Sequence, residues 1–217
     1  MKKETKKNFG IAAILLGAFV VWTAAVRLVD VQPIGPQGSA VGFATINGWV
    51  HDLTGVHMAL YTVTDWLGLA PIGAAMGFAL LGLSQWMRRK HLKQVDFTIL
   101  VLGGFYLLVM AVYVLFEVFV INYRPVLIGG YLEASYPSST TMLALCVMPT
   151  TLMQLNPRIK SQTLKRWVGF GITAFILFMV IGRLLSGVHW FTDIVGGALL
   201  SAGLVMLYHS VSSLEIK

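Results

Sequence analysis

Apolar residues run along this chain in long blocks, divided by short polar or basic breaks. A hydrocarbon layer of about 30 Å takes roughly 20 apolar residues as a helix. Six stretches meet or approach that length: about Phe9–Leu28, Met58–Met87, Phe97–Val120, Ser138–Leu155, Trp167–Leu185 and Trp190–Ser210. The second is long and is interrupted by Gly68 and Pro71. The pattern predicts an all-α integral membrane bundle of six transmembrane helices, built as one membrane domain over residues 1–217. Between the first two blocks, Pro33, Gly35, Pro36 and Gly38 predict a loop. Beyond it Phe43, Ile46, Val50 and Leu53 fall roughly on one helical face, which predicts an interfacial helix within Val41–Val56. The segment from Asn122 to Pro137 holds Pro125, Gly129, Gly130 and Pro137 and reads as a constrained loop.

Composition supports this plan: 57% of the 217 residues are hydrophobic and 12% charged, and the mean hydropathy of +0.77 lies far above soluble values. The net charge of +7 raises nucleic acid as a partner, but the positions of the cations argue for orientation in a bilayer instead. Lys2, Lys3, Lys6 and Lys7 precede the first block. Arg88, Arg89, Lys90 and Lys93 join the second and third; Arg158, Lys160, Lys165 and Arg166 join the fourth and fifth; Lys217 ends the chain. With six spans, these thirteen of the sixteen cations share one face, the cytoplasmic one by the positive-inside rule. Both termini are then cytoplasmic, only Arg27, Arg124 and Arg183 lie towards the outer face, and no nucleic-acid binding is expected. A cleaved signal peptide is the rival for residues 1–28, but its apolar run is long for that role and cleavage would leave five spans. The single Cys146 excludes an internal disulfide and reads as a small buried hydrophobe.

Against this background the stretch GRLLSGVHWFTDIVGG, from Gly182 to Gly197, is chemically dense. Arg183 closes the fifth block, and His189 and Asp193, four residues apart, open the sixth. On one helix they would share a face, so that Asp193 accepts from one imidazole nitrogen and leaves the other as a base or nucleophile. An interfacial pair that merely caps a helix is the equal alternative at this spacing. Tyr123-Arg124-Pro125 adds a second guanidinium, suited to phosphate oxygens. Pro137-Ser-Ser-Thr-Thr141 opens the fourth block with hydroxyls, where a helix N-terminus favours anions and where ordinary capping would also use them. In the six-span plan all these pieces lie on the outer side and together make a phosphate site with a nucleophile.

The arrangement resembles the type 2 phosphatidic acid phosphatase and haloperoxidase superfamily, whose pattern is KxxxxxxRP, then PSGH, then SRxxxxxHxxxD. Here the three parts read EVFVINYRP from Glu117, PSST from Pro137 and GRLLSGVHWFTD from Gly182. The resemblance implies that His189 attacks phosphorus to form a phosphohistidine and that Asp193 orients it. It also implies that Arg124, Arg183, Ser138 and backbone N–H groups near Ser139 hold the phosphoryl oxygens, with no metal or other cofactor required. Three positions depart: Glu117 stands for the family's Lys, Thr140 for the His that protonates the leaving group, and Gly182 for Ser.

Threonine has no pKa near neutrality and cannot replace a general acid, a loss of about 10²–10⁴ in rate for a poor leaving group. The expected activity is therefore hydrolysis of a phospholipid or polyprenyl (di)phosphate at the outer leaflet, biased towards a diphosphate such as undecaprenyl diphosphate, whose leaving group is itself a phosphate. Glu117, two helical turns before Arg124, either pairs with Arg124 or Arg183 or serves as a substitute acid. Two other outcomes stay open: a protein that binds or translocates lipid phosphates without hydrolysis, and a lipid phosphotransferase. The expected partners are a lipid phosphate substrate and membrane lipids, and the oligomeric state is left undetermined.

Overall fold

The computed structural model describes residues 3–214; Lys2 and Lys217, counted in the charge argument, lie outside that range. Its eight α-helices, among the described residues, are α1 (Lys3–Leu28), α2 (Ala44–Thr54), α3 (Met58–Leu67), α4 (Leu69–Arg89), α5 (Phe97–Val118), α6 (Ser139–Leu155), α7 (Gln162–Leu185) and α8 (Phe191–Ser212). The six expected blocks are all present as helices. The second is divided at Gly68 into α3 and α4, which run on as one apolar stretch of 32 residues, Met58–Arg89. The helix expected within Val41–Val56 is α2, which exposes Ile46, Trp49 and Leu53. Several long apolar helices make this a membrane protein.

Among the described residues, five helical stretches are long and apolar enough to cross a bilayer; α6, with 17 residues, is shorter. The reason lies in its position. Helix α6 packs against α4, α5, α7 and α8, so its neighbours, rather than lipid, meet its polar residues. Tyr106 of α5 lies 3.2 Å from the Thr150 hydroxyl, and Gln154 donates to the Tyr208 hydroxyl of α8 at 2.5 Å. Buried polar groups satisfied within the bundle carry little penalty.

Helix α8 is the centre of the bundle. It packs along α1 and also touches α2, α5, α6 and α7. Half of its most apolar window is buried inside the protein, against 11–22% for the other four spans. The core lies where Phe19 of α1, Phe105 of α5, Met142 of α6 and Leu200 of α8 converge. At one end, Asp96, the residue just before α5, gathers Gln85 and Arg89 of α4 and Arg158 beyond α6. Helix α5 then carries the chain about 33 Å, at 1.5 Å per residue, to the segment that holds Arg124.

At that other end the turn from α7 to α8 depends on Gly187. Its φ is +69°, a left-handed conformation, and a Cβ there would lie 2.0 Å from the Gly55 carbonyl oxygen after α2. The backbones touch directly, and the His57 N–H donates to the Ser186 carbonyl at 3.0 Å. Gly187→Ala should therefore cost both backbone strain and a displaced α2–α3 connection, about 1–3 kcal/mol or more, read as a lower thermal midpoint in detergent. Gly10→Ala, within α1 and with nothing within 4 Å of the added methyl, should not lower the midpoint, since alanine favours a helix interior over glycine.

Candidate active site

The end of the bundle near Gly187 brings Arg124, Ser138, Thr140, Arg183, His189 and Asp193 together, all of them buried. Four pieces of backbone place them: the first turn of α6, the last turn of α7, the turn into α8 with its first helical turn, and the segment between α5 and α6. That last segment is the constrained loop read from its prolines and glycines, and it has a definite register. The Arg124 N–H donates to the Glu133 carbonyl at 3.0 Å and the Ser135 N–H to the Asn122 carbonyl at 2.9 Å, around an antiparallel bridge between Tyr123 and Ala134. Side chains alternate on such a pair, so Asn122, Arg124, Glu133 and Ser135 share one face.

That face covers His189 and Asp193. Ser135 Oγ lies 3.0 Å from His189 Nδ1 and donates to Asp193 Oδ2 at 2.5 Å. Asn122 donates to Asp193 Oδ1 at 3.3 Å, and Arg124 Nη1 donates to His189 Nε2 at 3.3 Å. Glu133 holds Arg124 from the side, its Oε2 3.0 Å from Arg124 Nε, as a charge contact rather than an aligned hydrogen bond. A guanidinium only donates, so Nε2 is the unprotonated nitrogen of His189 and Nδ1 carries the hydrogen. The Ser135 carbonyl oxygen, 3.2 Å from Nδ1, is a second acceptor for it.

The direct hydrogen bond expected between His189 and Asp193 is absent. Asp193 Oδ2 lies 3.8 Å from Nδ1, and the Ser135 hydroxyl occupies the interval. The reason is local: α8 begins at Phe191, so His189 precedes the helix and the expected i,i+4 geometry does not apply. Asp193 instead turns back to the helix start, where Oδ2 accepts the Trp190 N–H at 2.9 Å.

Arg183 lies at the other side of the cluster with 1% of its surface exposed. Its Nη2 donates to the Thr140 hydroxyl at 2.7 Å and to Asp65 Oδ1 of α3 at 3.3 Å, and its Nη1 donates to the Thr64 hydroxyl at 3.3 Å. The guanidinium lies over the Tyr61 ring, 4.8 Å from its centre. Thus the carboxylate partners of the two arginines are Glu133 and Asp65, and the pairing expected of Glu117 with either is not formed. Glu117 lines a cleft of about 510 Å³ with Tyr113, Arg124, Glu133 and Ser139, and is exposed within it. The Ser138 hydroxyl is buried without a partner, and the Ser138 N–H donates to the Asp193 carbonyl at 3.1 Å. Ser139 is the first residue of α6 and faces the cleft.

Ser135, Asn122 and Glu133 were not legible as site residues: they are polar positions with no helical period, brought in by the pairing around Tyr123 and Ala134, and Thr64 is a helical threonine of α3 that reaches the site only by packing against α7. The one available signal was Ser135's position two residues before Pro137. Asp65 is a carboxylate of α3 that nothing in the sequence marks as a partner of Arg183. His51 packs its ring on Trp190 at 5.5 Å, one residue from His189. Among the described residues no three His, Cys, Asp or Glu side chains group as metal ligands.

Burial pushes the His189 imidazole down to about 4; the positive charges of Arg124 and Arg183 act in the same direction, and Asp193 opposes them. The ring is therefore neutral at ordinary pH, with its Nε2 lone pair available. A neutral imidazole, two guanidiniums and an unpartnered serine hydroxyl at a helix start can receive an anion and attack it.

The chain is thus a helical membrane bundle with a buried histidine and two buried arginines gathered at one end. Residues 98–216, more than half of the chain, match the PAP2 superfamily model, and the chain belongs to that superfamily. The crystal structure of a transmembrane PAP2-type phosphatidylglycerolphosphate phosphatase from Bacillus subtilis is similar in fold. The TM-score is 0.56 at 20% identity, covering 95% of this chain and 97% of that one. Among curated proteins no match to the chain is found.

Because the His189 pKa is lower in the folded chain than its ordinary 6.5, the unfolded state takes up the proton first on acidification. The imidazole's contribution to stability is thus complete above about pH 6.5 and is lost as pH falls towards 4. The thermal midpoint in detergent should fall across that window, and by less in His189→Gln; equal falls would contradict the assignment.

Proposed function

We propose that this protein is a membrane lipid-phosphate phosphatase whose nucleophile is His189. The observation that carries the reading is the orientation of the imidazole: Nδ1–H is turned to Ser135, and the Nε2 lone pair faces the guanidinium of Arg124. Superfamily membership supports a phosphatase-type hydrolase. A substrate phosphate would draw Arg124 off Nε2 onto its own oxygens and recruit Arg183 in place of Thr140 or Asp65. Nε2 then bonds to phosphorus as the bond to the leaving oxygen breaks, and its electron pair departs with the leaving group. Water next attacks phosphorus, the N–P bond breaks, and inorganic phosphate and neutral His189 are restored. The two arginines and the start of α6 offset the charge that gathers on the phosphoryl oxygens in both steps.

The basic clusters at the opposite end of the bundle support a cytoplasmic location for that end, and hence an outer-leaflet site. The Bacillus subtilis protein of similar fold is a phosphatidylglycerolphosphate phosphatase, and its substrate is a phosphate monoester. In this chain Thr140, at the position of the family's leaving-group acid, accepts a hydrogen bond from Arg183. The reading is therefore a preference for a leaving group that needs no proton, as in a polyprenyl diphosphate.

Purified protein in detergent should release phosphate from a short polyprenyl diphosphate at least tenfold faster than from a phosphatidic acid monoester. His189→Ala should lower the former by about 10³ or more, as removal of a nucleophile does. Faster monoester cleavage would refute the preference, and an active His189→Ala would refute the phosphatase mechanism.

A further inference from the structure

Asp193 makes no aligned hydrogen bond of its own to the ring it would orient. Asp193 Oδ2 is 3.8 Å from His189 Nδ1, beyond a useful N–H···O bond, yet both groups contact one hydroxyl. Ser135 Oγ is within 3.0 Å of Nδ1 and 2.5 Å of Oδ2. Donor and acceptor roles close without ambiguity. Arg124 must donate to Nε2, so Nδ1 carries the hydrogen; Asp193 accepts only, so the Ser135 hydroxyl hydrogen points to it and leaves an oxygen lone pair for Nδ1–H.

We infer that Ser135 is a positioning residue: its hydroxyl links His189 to Asp193, so that the carboxylate orients the nucleophile and stabilises its charge through an intervening O–H. The inference rests on His189 as nucleophile. When Nε2 bonds to phosphorus and the leaving-group bond breaks, Nδ1 keeps its hydrogen and the ring becomes a phosphorylated imidazolium. That positive charge strengthens the Nδ1–H···Oγ bond, and the same hydroxyl's bond to Asp193 strengthens with it, since linked hydrogen bonds polarise one another. No proton leaves the chain of groups, and dephosphorylation reverses the charge.

Several features favour this role over simple packing. Ser135, His189 and Asp193 are each at most 3% exposed, so water does not compete freely for the bond. The Ser135 backbone is fixed by its N–H donating to Asn122, and the Asp193 carboxylate is fixed by the Trp190 N–H and by Asn122. The hydroxyl therefore spans two anchored groups. The Ser135 carbonyl is the competing acceptor for Nδ1–H, at 3.2 Å, and it survives any substitution at this position. Removing the hydroxyl alone thus separates the two.

The test uses the full chain in detergent with a short polyprenyl diphosphate, comparing Ser135→Ala, Ser135→Thr and His189→Ala, with thermal midpoints confirming that each variant is folded. Ser135→Ala should lose about 10- to 100-fold in kcat, the range that follows loss of the hydrogen-bond partner that orients a metal-ligating imidazole. Its KM should stay within about twofold, since a group that acts only as charge develops changes kcat alone. The rapid first phase of His189 phosphorylation should slow in proportion, and Ser135→Thr, which retains a hydroxyl, should recover most of the rate. Wild-type kcat in folded Ser135→Ala overturns the inference, as does a loss carried in KM, or equal losses in folded Ala and Thr variants. If those results come with an inactive His189→Ala, the nucleophile stands and only the hydroxyl link falls. If His189→Ala is active, the nucleophile falls and the link with it.

Discussion

A carboxylate with no exposed surface is the demanding group in this protein. Asp193 lies at the start of the central helix, in a chain built largely of hydrocarbon, and its lost hydration must be replaced by donors. The Trp190 N–H supplies one, the Ser135 hydroxyl a second and the Asn122 amide a third. These come from the start of α8 and from both arms of the segment between α5 and α6. Leaving a buried polar group without one of its partners costs about 1–3 kcal/mol, and more for a charge. The carboxylate therefore ties the register of a loop to the first turn of a helix far away in sequence, and the same register puts Arg124 on the opposite ring nitrogen of His189.

The scaffold around that carboxylate is correspondingly well fastened. Asn47 of α2 donates to the Thr192 hydroxyl at 2.9 Å and accepts the Thr192 N–H at 3.1 Å, one residue before Asp193. Trp22 of α1 donates its indole N–H to the Thr192 carbonyl at 3.2 Å. The Trp190 indole donates to the Tyr123 carbonyl at 2.8 Å, which joins the start of α8 to the strand-like arm that carries Arg124. Tyr136 packs so closely on Gly196 that a Cβ there would lie 2.5 Å from its ring. Helix α2 thus does two things at once. It presents Trp49 and Leu53 outward, as an interfacial helix does, and it clamps the helix start beside the candidate nucleophile.

The helices, and with them the frame, were legible because their signal is local. Twenty apolar residues between basic breaks leave few alternatives in a bilayer. Arg124, Arg183, His189 and Asp193 were legible because ionisable groups are rare in such a chain. What could not be read was the pairing among them. The assumption that His189 and Asp193 share a helical face needed α8 to begin two residues earlier than it does. The partner of Arg124 proved to be Glu133, nine residues on, because a bridge between Tyr123 and Ala134 sets a two-residue alternation. Nothing local marks Asn122, Glu133 and Ser135 as one face; the alternation has meaning only once both arms are paired. Asp65 and Thr64 reach Arg183 from more than a hundred residues away, a contact that tertiary packing alone supplies.

The departures at Thr140 and Gly182 from the superfamily pattern form a connected change in the structure. Gly182 leaves room for Thr64, whose methyl would lie 2.8 Å from any Cβ at that position. Helix α3 therefore approaches α7 closely enough for Thr64 and Asp65 to bind Arg183. Thr140, without an imidazole to offer, becomes a further acceptor for the same guanidinium. The result is an arginine whose two terminal nitrogens are both engaged by protein partners, one of them a half-exposed carboxylate, while its Nε is buried without one. An anion arriving at Arg183 must displace Asp65 or Thr140, and a ligand with more negative charge does so more readily, because Coulomb attraction to a poorly solvated guanidinium grows with the ligand's charge. Under the proposed phosphatase function, a threonine at position 140 and the engaged terminal nitrogens of Arg183 favour the same kind of substrate: one that carries two adjacent phosphates and departs without a proton.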